Sequence, residues 1–332
     1  SVSRGLGDVY KRQPQQQSKK GAALAVGDIN GDGLEDFFIG NAKHASGALY
    51  IQQKNGTFVS SNQSLFSEDK AYEDSDALFF DKDGDGDLDL YVASGSYEDS
   101  EASKFLHDRV YENIGNGKFK RDLNFPSIAT VTATVTAADY DGDGDLDLFI
   151  GGGVMPGKYP LATPSYILEN QEGIFADVTK EKIEGIEKLR IVSDAVFSDY
   201  DKDGDKDLLV VGEWMPLTVF NNKKGVFTKA ALPEFSNKNG WYFSIVASDY
   251  DKDGDVDYLL GNLGTNNKFR PKKEKPFHIY ARDFDGNNSF DVVLSKESNG
   301  VLVPVRGKQC SSEQVPMLTT KIKTLSLIHI SE

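Results

Sequence analysis

Residues Asp139–Asp147 read DYDGDGDLD: carboxylates at positions 1, 3, 5, 7 and 9 of a nine-residue loop, with Gly144 at position 6. So many like charges on so short a segment repel one another unless a cation sits among them. Hard oxygen ligands at alternate residues, with a glycine where the chain turns sharply, suit Ca²⁺. The pattern recurs as DINGDGLED (28–36), DKDGDGDLD (81–89), DYDKDGDKD (199–207), DYDKDGDVD (249–257) and DFDGNNSFD (283–291). One such loop is a weak signal, since Asp, Asn and Gly are ordinary turn residues. Six in one chain are a strong one.

An EF-hand begins in a similar way but needs a bidentate Glu at position 12 and helices on both sides. Position 12 here is Ile39, Val92, Ile150, Val210, Leu260 and Leu294, all apolar. The flanks ALAVG, ALFF, TVTAA, AVFS, SIVAS and HIYAR before the loops, and DFFIG, DLYVAS, DLFIGG, DLLVVG, DYLLG and DVVLS after them, are short and rich in β-branched and aromatic residues. They read as strands, so each loop joins two strands of a hairpin. We assign side-chain ligands to positions 1, 3, 5 and 9 and a backbone carbonyl to position 7. The expected metal residues are therefore Asp28, Asn30, Asp32 and Asp36; Asp81, Asp83, Asp85 and Asp89; Asp139, Asp141, Asp143 and Asp147; Asp199, Asp201, Asp203 and Asp207; Asp249, Asp251, Asp253 and Asp257; and Asp283, Asp285, Asn287 and Asp291. The sixth loop departs from the pattern at Asn287 and Asn288.

The loop starts lie 53, 58, 60, 50 and 34 residues apart, a period that points to a propeller or a solenoid. The content of one period decides between them. A second hairpin follows in four repeats, at 48–61, 109–123, 165–179 and 217–230, with turns at Asn55-Gly56, Asn116-Gly117, Glu172-Gly173 and Lys224-Gly225. Two hairpins make four strands, the content of a propeller blade. The fifth interval, GNLGTNNKFRPKKEKP (261–276), carries no clear second hairpin. Short helices are expected only on connections, at 98–108 and 180–189.

The net charge is −15, and the six loops hold 27 of the 52 acidic residues. Six bound Ca²⁺ would leave about −3, so the acidity belongs mostly to the loops and not to a disordered acidic tail. It argues against nucleic acid and anionic membranes as partners. The single cysteine, Cys310, rules out an internal disulfide, and no stretch is long and apolar enough to span a bilayer.

The loops D-x-[DN]-x-D-G-x-x-D, their flanking strands and the G-x-F tails at Gly56-Thr57-Phe58, Gly117-Lys118-Phe119, Gly173-Ile174-Phe175 and Gly225-Val226-Phe227 resemble the FG-GAP/VCBS-type repeat family, the calcium-loop propellers related to those of integrin α subunits. With GEWMP (212–216) and RGKQCSSEQVP (306–316), the chain is most similar to bacterial cartilage-acidic-protein-like, ASPIC/UnbV-associated proteins. The resemblance covers nearly all of 21–316. It implies an all-β fold, a β-propeller with seven blades in the full protein and about six repeats here, and calcium in the loop between the first two strands of a blade. Residues 3–13 (SRGLGDVYKRQ) and 325–332 (LSLIHISE) resemble translated sequencing-adapter sequence. We therefore expect an adapter-derived segment at 1–13, a linker at 14–20, the repeat domain at 21–316, its continuation at 317–324 and a second adapter segment at 325–332.

Several calcium ions, up to six, would stiffen the hairpins, and sites of this class suit extracellular calcium. The expected role is a secreted or cell-surface, non-catalytic module binding a glycan or protein. The alternatives are a propeller-scaffold enzyme acting on polysaccharide, as hydrolase or lyase, and a structural spacer. Met155, Trp214, Met215, Trp241 and Tyr242 offer either a stacking face or blade packing. Glu169 and Glu213 are the candidate glycosidase pair. His44, His107 and His278 share no catalytic spacing, and Lys272, Lys273 and Lys275 form a small basic patch. The sequon at Asn55 is explained by its turn.

Overall fold

The computed structural model describes residues 22–97, 99–265, 270–272, 274–283, 286 and 290–305. The expected adapter segments, the linker, the 317–324 continuation, Lys273, Cys310, Asp285 and Asn287 lie outside them. Every acidic loop with described flanks sits where a hairpin was expected. Position 1 follows the last residue of one strand, and position 9 opens the next.

The described residues fall into two compact units. The larger contains eighteen strands. Its first sheet is β1 (Leu24–Gly27), β2 (Asp36–Ile39), β3 (Ala48–Gln52) and β4 (Phe58–Ser61), antiparallel in chain order. The second is β5 (Asp74–Phe80), β6 (Asp89–Ser94), β7 (Arg109–Asn113) and β8 (Phe119–Asp122). The third is β9 (Thr132–Ala138), β10 (Asp147–Gly152), β11 (Tyr166–Gln171) and β12 (Ile174–Asp177). The fourth is β13 (Val192–Ser198), β14 (Asp207–Met215), β15 (Thr218–Lys223) and β16 (Val226–Lys229). All four second hairpins read from the sequence are present.

Within this unit the sheets stack face to face, with the first strands β1, β5, β9 and β13 neighbours in succession. Each apolar core lies between two consecutive sheets. Phe38 and Leu49 meet Leu90, Val92 and Tyr111; Phe80, Tyr91 and Ala93 meet Val135, Leu148 and Ile150; Tyr140, Phe149 and Ile167 meet Leu208, Val210 and Phe220. This is blade packing of the β-propeller type. It explains why β6 and β10 are buried along their whole length, and why DLYVAS and DLFIGG do not alternate. A strand covered on both faces needs apolar residues on both.

The fifth hairpin, around the loop at 249–257, behaves differently. β17 (Gly240–Ser248) pairs with β18 (Asp257–Asn262), and its first residues also pair with the end of β14, Trp241 with Glu213 and Gly240 with Met215. One strand therefore bridges two blades where the sequence shows no second hairpin. The smaller unit holds 157–160 and a sheet of β19 (Phe277–Arg282), β20 (Asp291–Ser298) and β21 (Val301–Pro304).

Helix is scarce. The expected helix at 98–108 reduces, among its described residues, to one 3₁₀ turn, Lys104–Leu106. That at 180–189 becomes α2 (Thr179–Lys182) and a 3₁₀ turn, Ile186–Lys188. A short helix not expected from sequence, α1 (Gln63–Glu68), buries Phe66 in the first joint.

Candidate metal centre

Each loop is wound around its own carboxylates. At position 1, Asp139 accepts N–H bonds from Gly142 (2.7 Å) and Gly144 (3.1 Å), and Asp81 does so from Gly84 (2.9 Å) and Gly86 (3.1 Å). Asp28, Asp199, Asp249 and Asp283 accept equivalent bonds within their loops. At position 5, Asp32, Asp85, Asp143, Asp203 and Asp253 each accept the N–H of position 7 at 2.8–3.1 Å. The glycine at position 6 turns through the left-handed region, with φ of 102° at Gly144 and 101° at Gly204. These bonds curl the loop backbone around the position-1 carboxylate.

Four loops gather three carboxylates with one oxygen of each within 4.8 Å of the others: Asp81, Asp83 and Asp85; Asp139, Asp141 and Asp147; Asp199, Asp201 and Asp203; Asp249, Asp251 and Asp257. Asp89, Asp143, Asp207 and Asp253 stand outside these trios. In the first loop, Asn30 stands at position 3, and its Oδ1 accepts the N–H of Asp32 (3.0 Å). In the sixth loop, Asp283 and Asp291 are described.

The donor set fits a hard cation. Asp141 Oδ1 and Asp199 Oδ1 are shielded from water and accept no hydrogen bond, an arrangement that is costly for a carboxylate without a cation. Burial, then the neighbouring Asp85, raises Asp83 above the usual carboxylate range; burial, then Asp143, raises Asp141. A divalent cation bound here would offset both the burial and the repulsion.

Position 9 does more than its side-chain type indicates. Asp36, Asp89, Asp147 and Asp207 are buried. One oxygen of each accepts the N–H of position 2, from Ile29, Lys82, Tyr140 and Tyr200 at 2.9–3.3 Å. The other accepts an N–H from the third strand, from Gln52, Asn113, Asn170 and Asn222 at 2.7–2.9 Å. The carboxylate thus closes the loop and fastens it to the next strand of the blade. Burial pushes Asp89 up to about 6 and Asp147 up to about 7 despite these bonds. Asp257, in the blade where the described residues include no third strand of this kind, is exposed and keeps the bond from Tyr250 (3.1 Å).

The other candidate residues separate. Trp214 and Trp241 meet edge to face, 4.9 Å between centroids at 85°, and Trp214 takes φ 63°. Both are half-buried, whereas Met215 and Tyr242 are core residues. Met155 bonds through its backbone N–H to Leu161 (2.8 Å). Glu169 pairs with Lys182 (2.7 Å), and Glu213 is buried in β14. His107 Nδ1 contacts Ser127 Oγ at 2.6 Å, His44 occupies a turn at φ 72°, and His278 lies in β19. Lys272 and Lys275 form a backbone bridge. Asn55 Oδ1 accepts the N–H of Thr57 (3.0 Å), the turn role expected of it.

The FG-GAP-like repeat pattern matches residues 28–92, 81–150 and 199–260, more than half of the chain. The chain belongs to the FG-GAP-like repeat family. Each matched segment of this FG-GAP-repeat protein runs from position 1 of one acidic loop to position 12 of the next, so the family pattern spans two successive loops. Comparison with curated protein sequences gives no match. Among solved structures, an Agrocybe aegerita lectin, described as specifically recognising non-reducing terminal N-acetylglucosamine, is 16% identical over 87% of this chain and 66% of its own, with a TM-score of 0.43. The chain thus spans just under two thirds of the lectin's length. A thermostable family-43 glycoside hydrolase is 10% identical over 86% of this chain and 93% of its own, with a TM-score of 0.38.

Proposed function

We propose that this FG-GAP-repeat protein is a calcium-stiffened, non-catalytic binding module that presents a propeller face to a glycan or protein outside the cell. The observation that carries the metal reading is the convergence of three carboxylates within 4.8 Å in four separate loops, two of them with a buried oxygen that accepts no hydrogen bond. Positions 1, 3, 5 and 9 and the carbonyl of position 7 would hold the ion. Bound calcium supplies charge neutralisation and a rigid cross-brace; the chain's own hydrogen bonds preform the loop around it. Positions 9 tie the brace to the third strand, so ion binding adds to blade stability. The half-buried pair Trp214 and Trp241 offers an aromatic surface of the kind that stacks on sugars. The finer affinity with bacterial ASPIC/UnbV-associated proteins and the cell-surface location belong to the same proposal. No helix among the described residues is long and apolar enough to cross a membrane.

The test is a thermal melt of the 332-residue chain in millimolar calcium and in chelator, followed by a glycan array with calcium present. At tenfold excess over Kd each site adds about 1.4 kcal/mol, so four sites raise stability by about 6 kcal/mol. An unchanged midpoint refutes the metal reading, and an array signal lost on Trp214→Ala or Trp241→Ala supports the binding face.

A further inference from the structure

The turn between the third and fourth strands of one blade is pressed between two acidic loops. One is its own: Glu172 N–H donates to Asp145 Oδ2 (2.8 Å), and Lys224 N–H to Asp205 Oδ2 (3.1 Å), both position 7. The other belongs to the preceding blade. A Cβ on Gly173 would stand 2.9 Å from the Cβ of Asp83, and one on Gly225 would stand 2.8 Å from the Cβ of Asp141. Asp83 and Asp141 occupy position 3 of those loops, 90 and 84 residues upstream. Real Cβ atoms do not approach so closely, so a side chain here must displace the carboxylate-bearing residue or the turn.

A buried asparagine near the end of the third strand, Asn113 in β7, Asn170 in β11 and Asn222 in β15, reaches across this joint. Asn170 Nδ2 donates to Lys82 O of the preceding loop (2.8 Å) and to Leu146 O of its own (3.1 Å), while its Oδ1 accepts the N–H of Gly173 (2.9 Å). Asn222 repeats the arrangement with Tyr140 O (2.5 Å), Lys206 O (3.0 Å) and Gly225 N–H (2.9 Å). Asn113 does so with Ile29 O (2.9 Å), Leu88 O (3.2 Å) and Gly115 N–H (3.0 Å). The carbonyls it reaches are position 2 of the preceding loop and position 8 of its own. Only an amide supplies two donors and an acceptor from one short side chain. Asn170 and Asn222 are completely buried and fully satisfied, and so hold the two loops at a fixed spacing.

We propose that Gly173 and Gly225, held by Asn170 and Asn222, are positioning residues for the acidic loop of the preceding blade, so that the cation affinity of the loops at 81–89 and 139–147 is set partly by the next blade. The proposal rests on the calcium reading of Asp83 and Asp141. It makes the sites a chain of coupled joints and not six independent ones.

The test is a calcium titration by chelator competition on the full chain, comparing wild type, Gly173→Ala, Gly225→Ala and Gly56→Ala. Gly56 is the matched control. It turns the same hairpin of the first blade at φ 81°, against 84° and 80° for Gly173 and Gly225, but nothing lies within 4 Å of its added Cβ. All three substitutions therefore share the backbone strain, and only two press on a loop. The expected result is one site weakened tenfold or more in Gly173→Ala and in Gly225→Ala, with Gly56→Ala matching wild type. Asn170→Ala, read in the same titration, weakens the same site as Gly173→Ala without adding a side chain to the turn. Wild-type binding with all variants unchanged, or Gly56→Ala losing a site as well, overturns the positioning role and leaves the calcium reading standing. No calcium bound by wild type overturns the calcium reading and the positioning role with it.

Discussion

Replacing Asn170 by alanine removes a fully buried amide that joins two blades. Two carbonyls, Lys82 O and Leu146 O, lose their donor, and the N–H of Gly173 loses its acceptor. Each such bond contributes about 0.5–1.5 kcal/mol net, and a buried group left unsatisfied costs about 1–3 kcal/mol. The joint admits little water, so the loss is about 3–5 kcal/mol even in chelator. Asn170→Asp is worse than Asn170→Ala at neutral pH. It keeps the acceptor for Gly173 but turns a carboxylate toward two carbonyls inside a buried joint. Urea denaturation in chelator, followed by far-ultraviolet circular dichroism, measures both variants against wild type. A midpoint for Asn170→Ala within about 0.5 kcal/mol of wild type, or an aspartate better tolerated than alanine, refutes the latch.

Three further outcomes follow from the same geometry. Asp85→Ala, at an exposed position 5, melts like wild type in chelator and loses one site's share of the calcium-dependent rise, about 1.4 of about 6 kcal/mol, whereas Asp89→Ala orphans the N–H groups of Lys82 and Asn113 and melts lower in both conditions. Replacing Arg109 by methionine strands the buried carboxylate of Asp74 and costs about 3–5 kcal/mol in urea melts, and adding Asp74→Leu recovers part of it, the N–H of Asn41 losing its acceptor. Burial pushes Asp76 up to about 6 and Asp108 up to about 7, above the unfolded value of 3.8. The native state then binds more protons than the unfolded chain across this range, so stability in chelator falls as pH rises from about 4 to about 7. Urea midpoints across that window check the slope, and Asp108→Asn makes it shallower, the rest coming from Asp76, Asp89 and Asp147.

The loops and hairpins were legible because their chemistry is local. Alternating carboxylates with Gly144 or Gly204 at position 6, and Asn-Gly or Lys-Gly between apolar runs, demand the same turns wherever they occur. What lies between sheets was not. The continuous apolar runs of β6 and β10 reflect burial on both faces, but they do not say which blade supplies the cover. The strand that leaves β14 to pair with β17 depends on Trp214 at positive φ, which no residue pattern announces. Position 9 was assigned as a ligand from its side-chain type. Its second role, stapling Asn113, Asn170 or Asn222, needs a third strand whose register is set 15–24 residues downstream. A signal for the latch was present: an asparagine three residues before the turn glycine, Asn170 ahead of Gly173 and Asn222 ahead of Gly225. Its meaning emerges only when the preceding loop is beside it.

Titration of the decalcified full chain with Ca²⁺, with the melting midpoint followed in parallel, tests the metal reading most directly. The proposed metal reading predicts at least four ions per chain, one for each converging trio, and a midpoint that climbs as they fill. A chain that binds no calcium at millimolar concentration and melts at the same temperature in chelator contradicts it, and the acidic loops are then turns held by their own hydrogen bonds alone.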